Sequence, residues 1–426
     1  MLFLVILAAL VLVLFTGIPV FTGLTLFAAA ILVGVEGNLG NLGEIVFGKL
    51  DAYLLVAIPL FTLMAHFMIR GKVVNDLYDT AHTLLRHLPG GLGVATVAAC
   101  TIFAAISGSS VATALTIGSA AIPQMLRYGY APRVAYGVVG AGGTLGILIP
   151  PSAPMVLFGV VSDTSIGALF MAGVVPGFMM AAIFAVYCMW SATAKSAGRE
   201  KRASLDEALA AIRKSIWSLS LPPLILGGMY FGVFTATEAA GVGALAALLI
   251  ATLVYRSLDL RGIWDAARDA ARTSAMLFMI LIGAALFGHV LTKLRIPAQM
   301  VDLVTAYGVS QVVFLVAVMV LIFILGMFLE TISIILITTP VIMPVLVHLG
   351  INPIWYGVLL TINLELALIT PPVGMNLFAI KAITKAPIGE IIIGVAPYVL
   401  LLILGLALVM AFPGLALWLP STMAYK

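Results

Sequence analysis

Polar residues in this chain gather into short islands, and between them lie apolar runs of roughly 16 to 24 residues, the length at which a helix crosses a hydrocarbon core. Spans are expected near 1–16, 18–35, 53–70, 131–161, 165–193, 216–234, 238–255, 273–292, 354–382 and 389–412. No Lys or Arg precedes Lys49, so the first run lacks the charged leader of a secretory signal and reads as a retained span. Two stretches break the pattern. Residues 91–126 and 311–348 are apolar but split centrally, by Ser107-Gly108-Ser109-Ser110 and by Glu330-Thr331. Each half holds about 16 to 18 residues, marginal for a crossing, so each stretch is expected to be a re-entrant hairpin that enters and leaves by one face. Segments 72–88 and 258–272 are charged at helical spacing and are expected to be amphipathic interfacial arms.

One pattern is written twice. Pro123, Gly129, Pro132, Pro150 and Pro176 recur as Pro344, Gly350, Pro353, Pro371 and Pro397, each 221 positions on. Leu148-Ile149-Pro150-Pro151 returns as Leu368-Ile369-Thr370-Pro371-Pro372, and Tyr136-Gly137 as Tyr356-Gly357, one position out of step. Duplicated, Gly/Pro-interrupted apolar segments point to a transporter whose substrate site lies between two repeats. The expected division is a first repeat 1–194, a cytoplasmic linker 195–214 and a second repeat 215–426. The first contains hairpin 91–126, broken helix 131–161 and span 165–193; the second contains hairpin 311–348, broken helix 354–382 and last span 389–412.

Composition sets the class. At 63% hydrophobic and 9% charged residues the chain has no solvated surface to offer water, so it is expected to be an all-α polytopic protein embedded in the lipid bilayer. Cys100 and Cys188 stand alone in apolar segments, which excludes a disulfide framework or zinc spacing. No GxxxxGK[ST] occurs, so nucleotide hydrolysis is not the energy source, and the basic residues lack the interleaved aromatics of a nucleic-acid binder. Placing 195–214 in the cytoplasm and threading the spans puts all of the 21 Lys and Arg inside except Lys49, Lys293, Arg295 and Lys426. Both termini then fall outside, and the two repeats run in opposite directions. An inverted-repeat fold follows.

Chemistry has few places to reside. Only Glu330 and Glu365 are placed at membrane depth, where a carboxylate costs at least about 2.5–3.5 kcal/mol and usually meets a cavity, a cation or a partner. Either one could instead cap a hairpin helix or bond neighbouring backbone. Pro150-Pro151 and Pro371-Pro372 remove amide donors and force local unwinding, freeing carbonyls for a cation and aiming a half-helix N-terminus at an anion. Gly146 and Ser152 flank the first break, Thr370, Gly374 and Asn376 the second. Ser107, Gly108, Ser109 and Ser110 supply hydroxyls and amides, although small residues also serve close helix packing. Ser109 stands 221 positions before Glu330 and Ser110 before Thr331, so the two tips correspond. Hydroxyl, carbonyl and carboxylate oxygens suit a hard cation such as Na⁺. His66 and His289 occupy similar places in the two halves and are expected to be packing or interfacial residues.

The stretch Asn363-Leu364-Glu365-Leu366-Ala367-Leu368-Ile369-Thr370-Pro371-Pro372-Val373-Gly374-Met375-Asn376 resembles the signature of the large, DctM-type membrane subunit of tripartite ATP-independent periplasmic (TRAP) transporters. Gly146-Ile147-Leu148-Ile149-Pro150-Pro151-Ser152, Phe234-Thr235-Ala236-Thr237-Glu238 and Ile58-Pro59-Leu60-Phe61 are similar to it too. The resemblance implies an ion-transporter-type fold with two re-entrant hairpins and two broken helices, working as an elevator against a scaffold. It implies a bacterial inner-membrane symporter in which sodium drives uptake of a small organic acid: a C4-dicarboxylate, a sugar acid or sialic acid. A periplasmic solute-binding protein would deliver the acid, and a small four-helix membrane subunit would stand alongside.

The expected substrate residues are Ser107, Gly108, Ser109, Ser110, Pro150, Pro151, Ser152, Glu330, Thr331, Thr370, Pro371, Gly374 and Asn376. Sodium is expected among Ser107, Ser110, Gly146, Pro150, Glu330, Thr331, Asn363, Glu365, Thr370 and Gly374, with no other cofactor. A stand-alone sodium- or proton-coupled carboxylate symporter is the alternative. An intramembrane enzyme using Ser109 or Ser110 as nucleophile lacks a base in a suitable context.

Overall fold

The computed structural model describes residues 2–40, 42–71, 73–192 and 201–424, and every regular element among them is helical. The first half contains α1 (Leu2–Leu14), α2 (Val20–Glu36), α3 (Leu42–Leu50), α4 (Ala57–Arg70), α5 (Val73–Leu85), α6 (Gly91–Ser107), α7 (Ser110–Arg127), α8 (Pro132–Thr144), α9 (Ala153–Ser162) and α10 (Ile166–Ser191). The second contains α11 (Leu205–Tyr230), α12 (Ala236–Leu249), α13 (Leu260–Lys293), α14 (Ile296–Ala306), α15 (Gln311–Gly326), α16 (Thr331–His348), α17 (Pro353–Leu368), α18 (Met375–Thr384), α19 (Ile388–Ala411) and α20 (Gly414–Ser421). Six helices among the described residues are long and apolar enough to cross a membrane. Five of the apolar helices that are shorter than this lie in the split and broken segments.

The 221-residue spacing extends from motifs to helix boundaries. α16 starts and ends 221 positions after α7, α17 starts 221 after α8, and the cis bonds Pro150–Pro151 and Pro371–Pro372 have the same separation. Contacts echo it: α2 packs on α13 as α12 packs on α4, and α7 packs on α18 as α16 packs on α9. Each hairpin's second arm therefore lies against the late half of the other repeat's broken helix. Main chains come close where glycines permit. A Cβ on Gly137 of α8 would stand 2.1 Å from Gly394 O of α19, and one on Gly394 would stand 2.2 Å from Arg133 O.

Three expected segments differ in detail. Of the linker 195–214, residues 195–200 lie outside the described residues, whereas 205–214 form the first turns of α11. A capping box explains that start, because Ser204 Oγ accepts from Glu207 N at 3.1 Å and Glu207 accepts from Ser204 N at 3.3 Å. The arm 258–272 is no separate element: it runs without a break into the span 273–292 as the 34-residue α13, since no Gly-Pro or cap signal divides them. The arm 72–88 is separate, as α5. Helices α3, α14 and α20 are short amphipathic or apolar pieces that span-length reasoning passed over.

Ion pairs fasten this frame on one face. Arg70 at the end of α4 donates to Asp269 of α13, with Asp265 at 3.7 Å. Lys214 of α11 meets Asp76 of α5 at 2.7 Å, which holds the ammonium above its ordinary pKa, and Arg86 meets Glu207 at 2.7 Å. These pairs are partly exposed and open to solvent screening, so each contributes about 0–1 kcal/mol and fixes geometry more than stability.

Candidate functional site

Each hairpin turn is seated on the break of its own half. α6 ends where Gly108 takes the left-handed conformation, φ 60°, and its N–H closes on Ala104 O at 3.0 Å. Ser109 then caps α7, its hydroxyl accepting from Ala112 N at 3.3 Å. No side chain fits beneath this turn: a Cβ on Gly108 would lie 2.4 Å from Pro151 O, and one on Gly146 would lie 2.5 Å from Ser109 O. In the second half Val373 N donates to Met327 O at 3.2 Å, pinning that turn to its break. Glu330 occupies the N-cap of α16 but its side chain makes no capping bond, so the carboxyl stays available to the space in front of it.

The breaks are stitched locally. Ser152 donates to Ile147 O at 2.6 Å and caps α9 by accepting from Met155 N at 3.4 Å. Thr370 donates to Leu366 O at 2.6 Å, and Gly374, φ 55°, starts α18. The two halves are joined through Asn376, which donates to Ser110 Oγ at 2.9 Å and to Gly140 O at 3.2 Å while accepting from Ser110 at 3.1 Å.

Both turns face one cavity of about 400 Å³. Its walls are Ile106–Ala112, Ile147, Pro151, Ala153 and Pro154 from the first half and Glu330, Thr331, Ile332, Leu368 and Met375 from the second. α4 closes one side with Phe61, Thr62 and His66, and α13 with Thr273, Met276 and Leu277. The first residues of four helices, Ser110, Ala153, Thr331 and Met375, reach this space, as do the ends of α6 (Ser107) and α17 (Leu368). Helix starts present amides and partial positive charge; helix ends present carbonyls and partial negative charge. Among the described residues no Lys or Arg lines the cavity, and its only carboxylate and only imidazole are Glu330 and His66. Such a space accepts an anion and a hard cation together without an ionic pair of side chains.

Of the expected residues, Ser107, Gly108, Ser109, Ser110, Pro151, Glu330 and Thr331 line this cavity. Gly146, Pro150, Ser152, Thr370, Pro371, Gly374 and Asn376 lie at the two breaks but not on its wall. Asn363 donates to Met319 O at 2.8 Å, behind α17. Glu365, three residues before Leu368, is fully buried and neither oxygen has a hydrogen-bond partner. The sequence does not reveal the contribution of α4 and α13, because both read as ordinary spans. His66, expected to pack, stands on the cavity wall, while His289 lines a separate cavity of about 330 Å³ with Lys49 and Pro340. Among the described residues no three of His, Cys, Asp or Glu gather, so oxygen ligands here would be mostly hydroxyls and carbonyls.

The family model described as "Tripartite ATP-independent periplasmic transporter, DctM component" matches residues 5–415. The chain is 41% identical over 394 residues to the C4-dicarboxylate TRAP transporter large permease protein DctM of Pseudomonas aeruginosa, covering 92% of each. It is 36% identical over 434 residues to the protein of the same description from Rhodobacter capsulatus, covering 98% of each. Two solved structures share the fold. One is the YdaH transporter of Alcanivorax borkumensis, at TM-score 0.66 and 16% identity over 89% of this chain and 87% of that one. The other is Neisseria gonorrhoeae MtrF, at TM-score 0.67 and 15% identity over 91% and 85%.

Proposed function

The chain belongs to the TRAP transporter DctM family of large permeases, and from that premise we propose that its cavity carries a small carboxylate together with sodium. It is a transporter permease of the inner membrane, multi-pass and not an enzyme. The observation that supports the cargo is the meeting of four helix starts in a space that no Lys or Arg among the described residues lines, which suits an anion whose charge is offset by an accompanying cation. The amides of α7 and α16 would hold the carboxylate. Sodium would sit in one cage of oxygens per half: around Ser107, Ser110, Gly146 and Pro150, and around Glu330, Thr331, Asn363, Glu365, Thr370 and Gly374.

Residues 1–194 and 215–426 would be oppositely oriented repeats with both termini periplasmic. Hairpins α6–α7 and α15–α16 and the broken helices α8–α9 and α17–α18 would form a body that slides against a scaffold containing α2, α4, α12 and α13. The α4 and α13 walls of the cavity lie near Arg70, Asp265 and Asp269, on the face assigned to the cytoplasm, which supports reading this conformation as the inward-facing end of that motion. A C4-dicarboxylate, the class in the names of the two relatives above, is the favoured cargo, delivered by a periplasmic binding protein with a small membrane subunit alongside.

Reconstitution of all three components tests this. Uptake of succinate into proteoliposomes should require an inward sodium gradient and the binding protein. Equal uptake without either would overturn the reading.

A further inference from the structure

We propose that His66 is a specificity-determining residue that binds the second carboxylate of a dicarboxylate cargo. This rests on the carboxylate reading of the cavity and goes on to say which wall selects the acid. The hairpin side of the cavity is rich in amide donors, but the opposite wall, built by α4 and α13, is nearly bare of them. Thr62 commits its proton to Ile58 O at 2.7 Å, and Thr273 commits its own to Asp269 O at 3.0 Å. Both hydroxyls can then only accept, which is of no use to an anion. Phe61, Met276 and Leu277 are apolar, and Arg70 one turn further along α4 is engaged with Asp269 and Asp265. Among the described residues, the imidazole of His66 is the one donor this wall presents to the cavity. A dicarboxylate anchored by one end at the starts of α7 and α16 turns its other end to that wall and finds an N–H there. A monocarboxylate leaves the ring facing hydrocarbon, with its donor unsatisfied. Glu330, the other ionisable group on the cavity wall, stands on the hairpin side, where the first carboxylate and the sodium sit.

The purified permease with its small subunit, in sodium-containing detergent buffer, is titrated calorimetrically with succinate and with butyrate. Wild type should bind succinate at least about tenfold more tightly than butyrate, the scale of one charge-assisted hydrogen bond. His66→Ala should bind the two acids within about twofold of each other, chiefly through weaker succinate binding, whereas His66→Gln, which keeps a donor, should retain most of the preference. The ratio of two acids on one preparation is the readout, so a general loss of folded protein cancels. A preserved ratio in His66→Ala overturns the assignment, as does a ratio that collapses equally in His66→Gln. Failure of wild type to bind either acid in sodium would sink the carboxylate reading itself, a result distinct from either.

Discussion

Gly108→Ala isolates the seating of the first hairpin turn on its break. Two penalties arise. An alanine held at φ 60° costs about 1–2 kcal/mol because its Cβ crowds the backbone in the left-handed region. The same Cβ would stand 2.4 Å from Pro151 O, a main-chain atom that cannot swing aside, and overpacking of that kind costs about 1–3 kcal/mol more. Gly129 provides the control. It is also left-handed, φ 81°, in the turn after α7, but a Cβ there meets nothing within 4 Å, so Gly129→Ala carries the first penalty alone. The difference, roughly 1–3 kcal/mol, corresponds to a drop of about 5- to 150-fold in the fraction of molecules with the turn seated. Initial rates of sodium-driven uptake, normalised to folded protein, should separate the two variants by that factor, with Gly146→Ala resembling Gly108→Ala because it intrudes on Ser109 O from the other side. If Gly108→Ala and Gly129→Ala transport equally well, the turn is not held against Pro151 during function.

Other consequences are open to measurement. Ser110→Ala leaves the buried Asn376 Oδ1 without its donor and should destabilise the protein by about 1–3 kcal/mol, and a double-mutant cycle with Asn376→Ala should show strong coupling in thermal unfolding; additive losses would refute a direct link between the halves. Glu365→Gln removes an ionisable oxygen ligand from a fully buried position with no protein partner, so the sodium concentration for half-maximal uptake should rise about tenfold or more while succinate KM changes less; unchanged sodium dependence would make Glu365 structural. Cys100 and Cys188 are buried and should be silent to impermeant maleimides, so Ser204→Cys should label only from the cytoplasmic face and Thr422→Cys only from the periplasmic face; labelling of both from one side would refute the proposed topology.

Much of this architecture is written in the sequence because its strongest determinants are local. Pro-Pro pairs and Gly turns interrupt helices wherever they fall, so both breaks and the first turn are legible residue by residue, and repetition at 221 pairs them. What is not legible is anything decided by packing across the chain. The run 258–272 looks like an interfacial arm because its charges are amphipathic, yet backbone continuity makes it the start of α13. Its counterpart by the same spacing, around 37–51, holds the separate helix α3, and only tertiary context explains why one is fused and the other not. The cavity illustrates the same limit. Its turn-borne residues could be named from polarity at membrane depth, whereas Thr62, His66 and Thr273 sit in unbroken spans, and a single polar residue in a span says nothing about which way it faces.

A binding site composed of helix ends also suits a carrier that must return empty. If a Lys or Arg held the carboxylate, the unloaded protein would move an uncompensated full charge through the bilayer, at a cost of at least about 2.5–3.5 kcal/mol. Helix starts contribute roughly half a charge each, and in this cavity they are opposed at short range by the carbonyl ends of α6 and α17. The empty site is then close to balanced, and on the proposed cycle the loaded one is balanced again by sodium. Glu330 is the exception to this balance. As the only carboxylate on the wall among the described residues, and one not engaged as a helix cap, it would require a cation or a proton on every crossing of the proposed cycle. On the proposed cycle its position would therefore tie movement of the second hairpin to occupancy by the coupling ion, whichever acid is aboard.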